Sequence, residues 1–312
     1  MRNLQYIISQ VRKQTENEDV SDFAGIQDTE FIQYLNDAQH RLQGIIIASH
    51  PRVFLEEKII SVVSDQESYE LPSDCYLGNK VHNIEYSSTG DENNYYVLEE
   101  TTLKRRNPGV AGSPSHYIRM SGKILLSPQP SGTGKLRITY AARVRELDIR
   151  RAKVEVAPTI SSSGSWTIAL DNANLTTDIT SLEEHDYICV IDKEGKSIVK
   201  NMPITSVTSE LMTLEAHTVD SESGETNTSI TDAHYIVGGK DTTSHGDLPR
   251  SVERYIISYC AWKILKRDSS VDSAEAQSEL QGLASEIVNS YALISDDVQF
   301  VPQLNSWDDW GS

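Results

Sequence analysis

Three groups of residues in this chain have the types and spacing for chemistry or recognition. The first is Gly132-Thr133-Gly134-Lys135, the composition of a loop that wraps a phosphate chain. A Walker-type loop also needs a glycine five positions before the Gly-Lys pair and a hydroxyl directly after it, so that backbone amides and magnesium can be reached. Gln129 and Leu136 stand at those two positions. With Pro128 and Pro130 ahead of the glycines, the stretch reads instead as a hairpin connection between "KILLS" and "KLRITY". The second group is Arg105, Arg106, Arg143, Arg145, Arg150 and Arg151, basic residues gathered in an acidic chain. Guanidinium groups bind carboxylates or phosphates bidentately. The abundance of Asp and Glu makes salt bridges the first reading of this cluster and DNA contact the second. The third group is Phe300, Trp307 and Trp310, interleaved with Asp296, Asp297, Asp308 and Asp309 near the C-terminus. Such aromatics either anchor in a partner's pocket or pack back on their own chain.

Other familiar chemistry is missing from the pattern. The eight histidines, at 40, 50, 82, 116, 185, 217, 234 and 245, include no pair one helical turn apart, as a helical metal site would need. There is no Gly-x-Ser-x-Gly elbow, His-Glu-x-x-His run or dinucleotide fingerprint. Carboxylates are so numerous that no pair stands out as a glycosidase acid and base. The expectation is a protein with no catalytic, cofactor-binding or metal-binding residues, and not an enzyme.

These residues need elements to position them. A chain of 312 residues accommodates two or three domains. Its net charge of -18 excludes wholesale coating of nucleic acid, because an acidic surface repels a phosphate backbone. Cys75, Cys189 and Cys260 are odd in number and far apart, which predicts buried thiols in a reducing compartment. No apolar run approaches the ~18 residues of a membrane span, and the N-terminal residues do not read as a secretion signal. The expectation is therefore a soluble protein without membrane contact.

Helical spacing places Leu4, Ile7, Ile8 and Val11 on one face. A second helix over 28–49 carries the stripe Phe31, Leu35, Ala38, Leu42 and Ile45, with Asp28 as its cap. Period-2 segments follow, "KIISVVS", "SYELP", "VHNIEYS", "NYYVLEE", "HYIRMS", "KILLS" and "KLRITYAAR", and they predict an antiparallel β module. Residues 152–246 hold 5 basic and 15 acidic residues among short strands, which predicts a second, small barrel or sandwich. Helices return at "GDLPRSVERYIISYCAWKILKRD", with Asp247 as cap, and again along Leu280, Leu283, Ile287, Tyr291 and Ile294. The expected fold class is α+β: a helical bundle from both termini, an antiparallel β module, and an inserted small β-barrel or sandwich. The expected domains are residues 1–57 with 247–295, residues 58–151, residues 152–246, and a tail over 296–312.

The order of motifs resembles the head-to-tail adaptor (connector) proteins of tailed bacteriophages, the short-tailed type in particular, which form a ring beneath the portal. The likeness is carried by "FIQYLNDAQHRLQ" at 31–43, "YELPSDCY" at 69–76, "ILLSPQPSGTGKLRITY" at 124–140 and "LPRSVERYIISYCAWKILKRD" at 248–268. It spans roughly residues 1–150 and 247–295. The resemblance implies a structural virion protein made in the host cytoplasm and placed at the head-tail junction. It implies a closed ring of copies, a dodecamer, between the portal protein and tail or nozzle proteins, with double-stranded DNA passing through without sequence specificity during ejection. Carried over to this chain, Phe31, Leu35, Leu42, Tyr255, Tyr259 and Trp262 would make subunit contacts, and residues 296–312 would dock on the portal. Two other readings stand beside it: a carbohydrate-binding or glycan-processing virion protein, with Trp166, Tyr187 and Tyr235 as stacking surfaces, and a tail-tube or baseplate ring component.

Overall fold

The computed structural model describes residues 1–15, 28–91, 94–105, 109–161, 164–171, 187–208, 210–215, 230–267 and 273–292. Two helices open the chain, α1 (Leu4–Gln14) and α2 (Asp28–Ser49). Ten strands follow: β1 (Leu55–Val62), β2 (Ser68–Glu70), β3 (Val81–Ser87), β4 (Tyr96–Val97), β5 (Glu99–Glu100), β6 (Ala111–Gly112), β7 (His116–Met120), β8 (Lys123–Ser127), β9 (Gln129–Pro130) and β10 (Gly134–Ala141). The pair β11 (Glu146–Leu147) and β12 (Ala152–Val154) leads into β13 (Thr159–Ile160), β14 (Trp166–Asp171), β15 (Tyr187–Ile191), β16 (Ser197–Val207), β17 (Leu211–Leu214) and β18 (Tyr235–Gly238). Then come β19 (Thr242–Thr243) and two helices, α3 (Glu253–Arg267) and α4 (Ser273–Ala292). The class is α+β, as the periodicities predict. The chain divides into two compact units, one of residues 1–42 and 144–287, the other of residues 43–143 with the continuation of the chain from residue 288.

In the second unit two four-stranded sheets, ordered β1-β10-β3-β4 and β2-β8-β7-β5, share one core. Ile84, Leu136 and Ile138 from the first sheet meet Tyr69, Ile124 and Leu126 from the second. Alternation sets this inward face, since residues two apart in a strand point the same way. Tyr140, at the end of β10, donates from its hydroxyl to Asp74 at 3.0 Å, joining the "YELPSDCY" turn to "KLRITY". Burial, with the neighbouring Asp74 carboxylate, pushes the Tyr140 phenol far above its usual range.

Two sequence expectations change here. The glycine-lysine run is not a hairpin tip, because β8 pairs with β2 and β7 while β10 pairs with β1 and β3. The segment carries the chain from one sheet to the other. Pro128 and Pro130 lack the N–H that a hairpin ladder would need, and β9 pairs parallel with β6 instead. Gly134 is required by close packing and not by a phosphate: a Cβ there would lie 2.6 Å from the Ser87 carbonyl oxygen and 2.7 Å from the Tyr86 hydroxyl. Likewise "NYYVLEE" is not one strand. It breaks at buried Leu98, with β4 in one sheet and β5 in the other.

In the first unit the acidic segment closes into a six-stranded antiparallel barrel, β12-β18-β15-β16-β17-β14, sealed by the pairing of β12 with β14. The short β13 adds to β14. Closure leaves no open edge among these six strands. The interior is filled by Val154, Trp166, Ile168, Ile188, Val199 and Met212, among others. The α1 helix packs against α3, and Leu4, Ile7, Ile8 and Val11 are all buried. Arg12 of α1 bonds Asp28 at 2.7 Å, Arg267 of α3 bonds Glu30 at 2.8 Å, and Arg254 bonds Glu279 of α4 at 2.9 Å. The α3 helix is buried nearly all round, as its apolar residues on every face require. Asp247 does not cap it. A 3-10 turn, Arg250–Val252, leads into α3, and the Asp247 carboxylate is taken by Arg145.

Candidate interaction site

The α2 helix carries two stripes. Phe31, Leu35, Ala38 and Leu42 form the apolar one and are buried within the chain itself. Asn36, Gln39 and Gln43 form a second, of amides. Asn36 makes a two-way bond with the Leu147 backbone, donating to its carbonyl at 3.0 Å and accepting from its N–H at 2.7 Å. Gln39 donates to the Arg145 carbonyl at 2.8 Å, and the His40 ring meets Glu146 at 2.8 Å. β11 thus has the strand β19 as one neighbour and helix amides in place of a strand as another. In the second unit Gln43 donates to the Ala142 carbonyl at 2.7 Å. Buried backbone groups need such partners. The spacing Asn36, Gln39, Gln43 beside an apolar stripe was the signal available in the sequence.

Arg145, Arg150 and Arg151 each turn to a separate partner. Arg145 forks onto Asp247 at 2.5 and 2.9 Å and reaches the Gly195 carbonyl at 3.1 Å and the Ser197 hydroxyl at 3.0 Å. Arg150 donates to the Lys193 carbonyl at 2.5 Å, and its guanidinium lies 4.1 Å from the Tyr235 ring centre. Arg151 is buried against Asp148, with bonds of 3.0 and 2.7 Å, and Asp148 also accepts from the Gly238 N–H at 2.7 Å. These three are spent inside the first unit, Arg145 and Arg151 on carboxylates. Arg143 and Arg105 are exposed on the second unit. Arg106 and the tail residues Phe300, Trp307 and Trp310 lie outside the described residues.

Of the six side chains expected at a subunit contact, Phe31, Leu35, Leu42, Tyr255 and Tyr259 are buried in the chain's own core. Trp262 is half-buried, 5.5 Å from Tyr259 between ring centres, with Lys263 and Lys266 over its face. The apolar area of the first five is covered by intrachain packing.

The three aromatics suggested for sugar stacking are also committed. Trp166 is 2% exposed and fills the barrel interior. Lys240 sits 3.8 Å from the Tyr187 ring centre, as Arg150 does over Tyr235, so a cation occupies one face of each ring. A shallow groove of about 370 Å³ is lined by Thr29, Asn36, Glu146, Arg151 and Lys240. Asn36, Arg151 and Lys240 already have the partners given above. Cys75, Cys189 and Cys260 are buried and unbridged, and burial pushes each thiol up, which disfavours the reactive thiolate.

His245 bears on acid stability. It stands beside the turn at Gly195, whose missing Cβ leaves room for it: an added carbon would come within 2.7 Å of the His245 Cβ. Burial first, then the Arg150 guanidinium and the chain's amino terminus, holds the imidazole down to about 4. Asp192 opposes this and Arg145 adds to it. The folded state keeps His245 neutral, while the unfolded chain takes a proton below about pH 6.5. The unfolded state therefore binds more protons between pH 6.5 and 4, and stability falls as pH drops through that window. Solvent screening of the partly exposed ring reduces the contribution lost between pH 7 and pH 5 to about 1 kcal/mol. Urea unfolding at the two values should show this loss, and His245→Asn should reduce it.

Compared with known families, residues 2–176 match the model of the SU10 adaptor protein. The match covers α1, α2, the sandwich and the first barrel strands through β14, and it stops short of α3. No curated protein matches the sequence.

Proposed function

The chain belongs to the SU10 adaptor protein family, a bacteriophage adaptor with a structural role between head and tail, and we propose that it is a ring subunit joining the portal to the tail. In this reading copies close into a ring around the DNA channel, the four helices act as one bundle in the ring wall, and residues 296–312 dock on the portal. The role is non-enzymatic and lies at the head-tail junction of the virion. The observation that carries it is the family match over more than half of the chain. The net charge of -18 suits the role, because an acidic wall keeps passing DNA from adhering. No observation favours the glycan reading, since Trp166 is turned into the barrel and the Tyr187 and Tyr235 rings each carry a cation.

Native mass spectrometry of the purified chain, alone and with portal protein from the same phage, tests the reading. A closed oligomer that adds to the portal is the expected result. A chain that forms no closed oligomer and does not bind portal protein would refute it.

A further inference from the structure

Leu77 combines two features that each cost stability. Its backbone has φ 53°, the left-handed region, where a Cβ crowds the following carbonyl at a cost of about 1–2 kcal/mol. Its side chain is 76% exposed. Asparagine or glycine would suit the turn better, so the isolated fold gains nothing from a leucine here. What the position provides is an apolar side chain held outward on a firm turn, closed by the Gly78 N–H donating to the Cys75 carbonyl at 2.8 Å and the Lys80 N–H donating to the Tyr76 carbonyl at 3.1 Å.

Arg119 brings a second segment to the same end of the sandwich. It donates to the Asn79 carbonyl at 3.2 Å and pairs with Glu100, just before a 3-10 turn at Leu103–Arg105. Leu103 is 56% exposed, and Lys104 and Arg105 are exposed beside it. This end of the second unit therefore presents two exposed leucines with the cations Lys104 and Arg105 beside Leu103, while the exposed Glu100 is taken up by Arg119.

One wall of the barrel has the complementary character. Val154, Leu170 and Met212 point inward, so Ala169 and Leu211, each one residue away on its strand, and Glu155, directly after β12, point outward. They lie on one rung, with the Glu155 N–H bonded to the Ala169 carbonyl and Ala169 paired with Leu211. Leu211 is 48% exposed, with Glu210 and Glu155 exposed around it. The charge bias is general: residues 152–246 hold 5 basic and 15 acidic residues, against 11 of each in residues 43–143.

We propose that the Leu77 end of the sandwich in one copy docks on the β12-β14-β17 barrel wall of a second copy. Leu77 and Leu103 pack on Ala169 and Leu211, and Lys104 and Arg105 face Glu155 and Glu210. The two surfaces are different, so the contact is heterologous, and its repetition links copies head to tail into a ring when the rotation closes. This rests on the ring-subunit reading and specifies the contact that reading needs.

The test uses the full chain and reads oligomer mass and melting temperature together. Leu77→Asn removes the knob and relieves the backbone. It should weaken self-association by roughly tenfold or more, as loss of one buried leucine implies, while the dilute, dissociated chain melts no lower than the parent. Lys104→Glu with Arg105→Glu should also weaken association, and adding Glu155→Lys and Glu210→Lys should restore it. If the parent forms a closed oligomer that Leu77→Asn leaves unchanged, or if the charge swap fails to restore assembly, this contact is wrong and the ring reading stands. If the parent stays monomeric both alone and with portal protein, the ring reading fails and this contact with it.

Discussion

Replacing Asp148 by alanine should destabilise the protein by about 3–5 kcal/mol, the range for stranding one partner of a buried ion pair. The carboxylate is 4% exposed and serves the Arg151 guanidinium and the Gly238 N–H together. Alanine would leave a positive charge and a backbone donor without their acceptor in a site closed to water. Arg151 lies at the start of the barrel and Gly238 at its last strand, so the loss falls where the barrel meets β19. Urea unfolding followed by tryptophan fluorescence measures it. Replacing both partners with apolar residues, Asp148→Leu with Arg151→Met, should recover part of the loss, since the uncompensated charge is then gone. A cost below 1 kcal/mol for Asp148→Ala would show that the pair contributes little.

Trp166→Ala should also cost about 3–5 kcal/mol, from lost transfer energy and the cavity left in the barrel. The indole is the largest fully buried side chain among the described residues, packed among β-strand residues from around the barrel. Thermal melting of the full chain should show the barrel weakened, and sugar binding should be the same in parent and variant. A variant that melts like the parent would mean that the ring of six strands does not close around this residue.

The helices were legible because their signal is local. The four-and-three stepping of Phe31, Leu35, Ala38 and Leu42 is a property of neighbouring turns, and α2 spans the predicted residues. The strands were legible for the same reason, but their partners were not. Alternation states which face of β8 or β10 is buried and says nothing about which strand lies beside it. That is why the Pro-rich stretch between them read as a hairpin when it carries the chain between sheets. Barrel closure depends on β12 meeting β14 and β18, and no short-range pattern distinguishes that from an open sandwich. The arginines follow the salt-bridge reading at Arg145 and Arg151, while Arg150, close to both in sequence, turns to a backbone carbonyl and a tyrosine ring. Gln39 and Gln43 were passed over because amides on a helix are ordinarily solvated, and here they complete the bonding of an adjoining backbone.

The first and last strands of the barrel are neighbours, with Ala152 opposite Ile236 and Lys153 opposite Tyr235. The polypeptide thus goes into this module and comes out of it at a single rung, across a gap of about 5 Å. A segment attached that way can lengthen, shrink or be exchanged for another while the two ends it hangs from stay where they are. The barrel is in that sense a detachable fitting, and the part of the molecule most open to being re-equipped for a different neighbour.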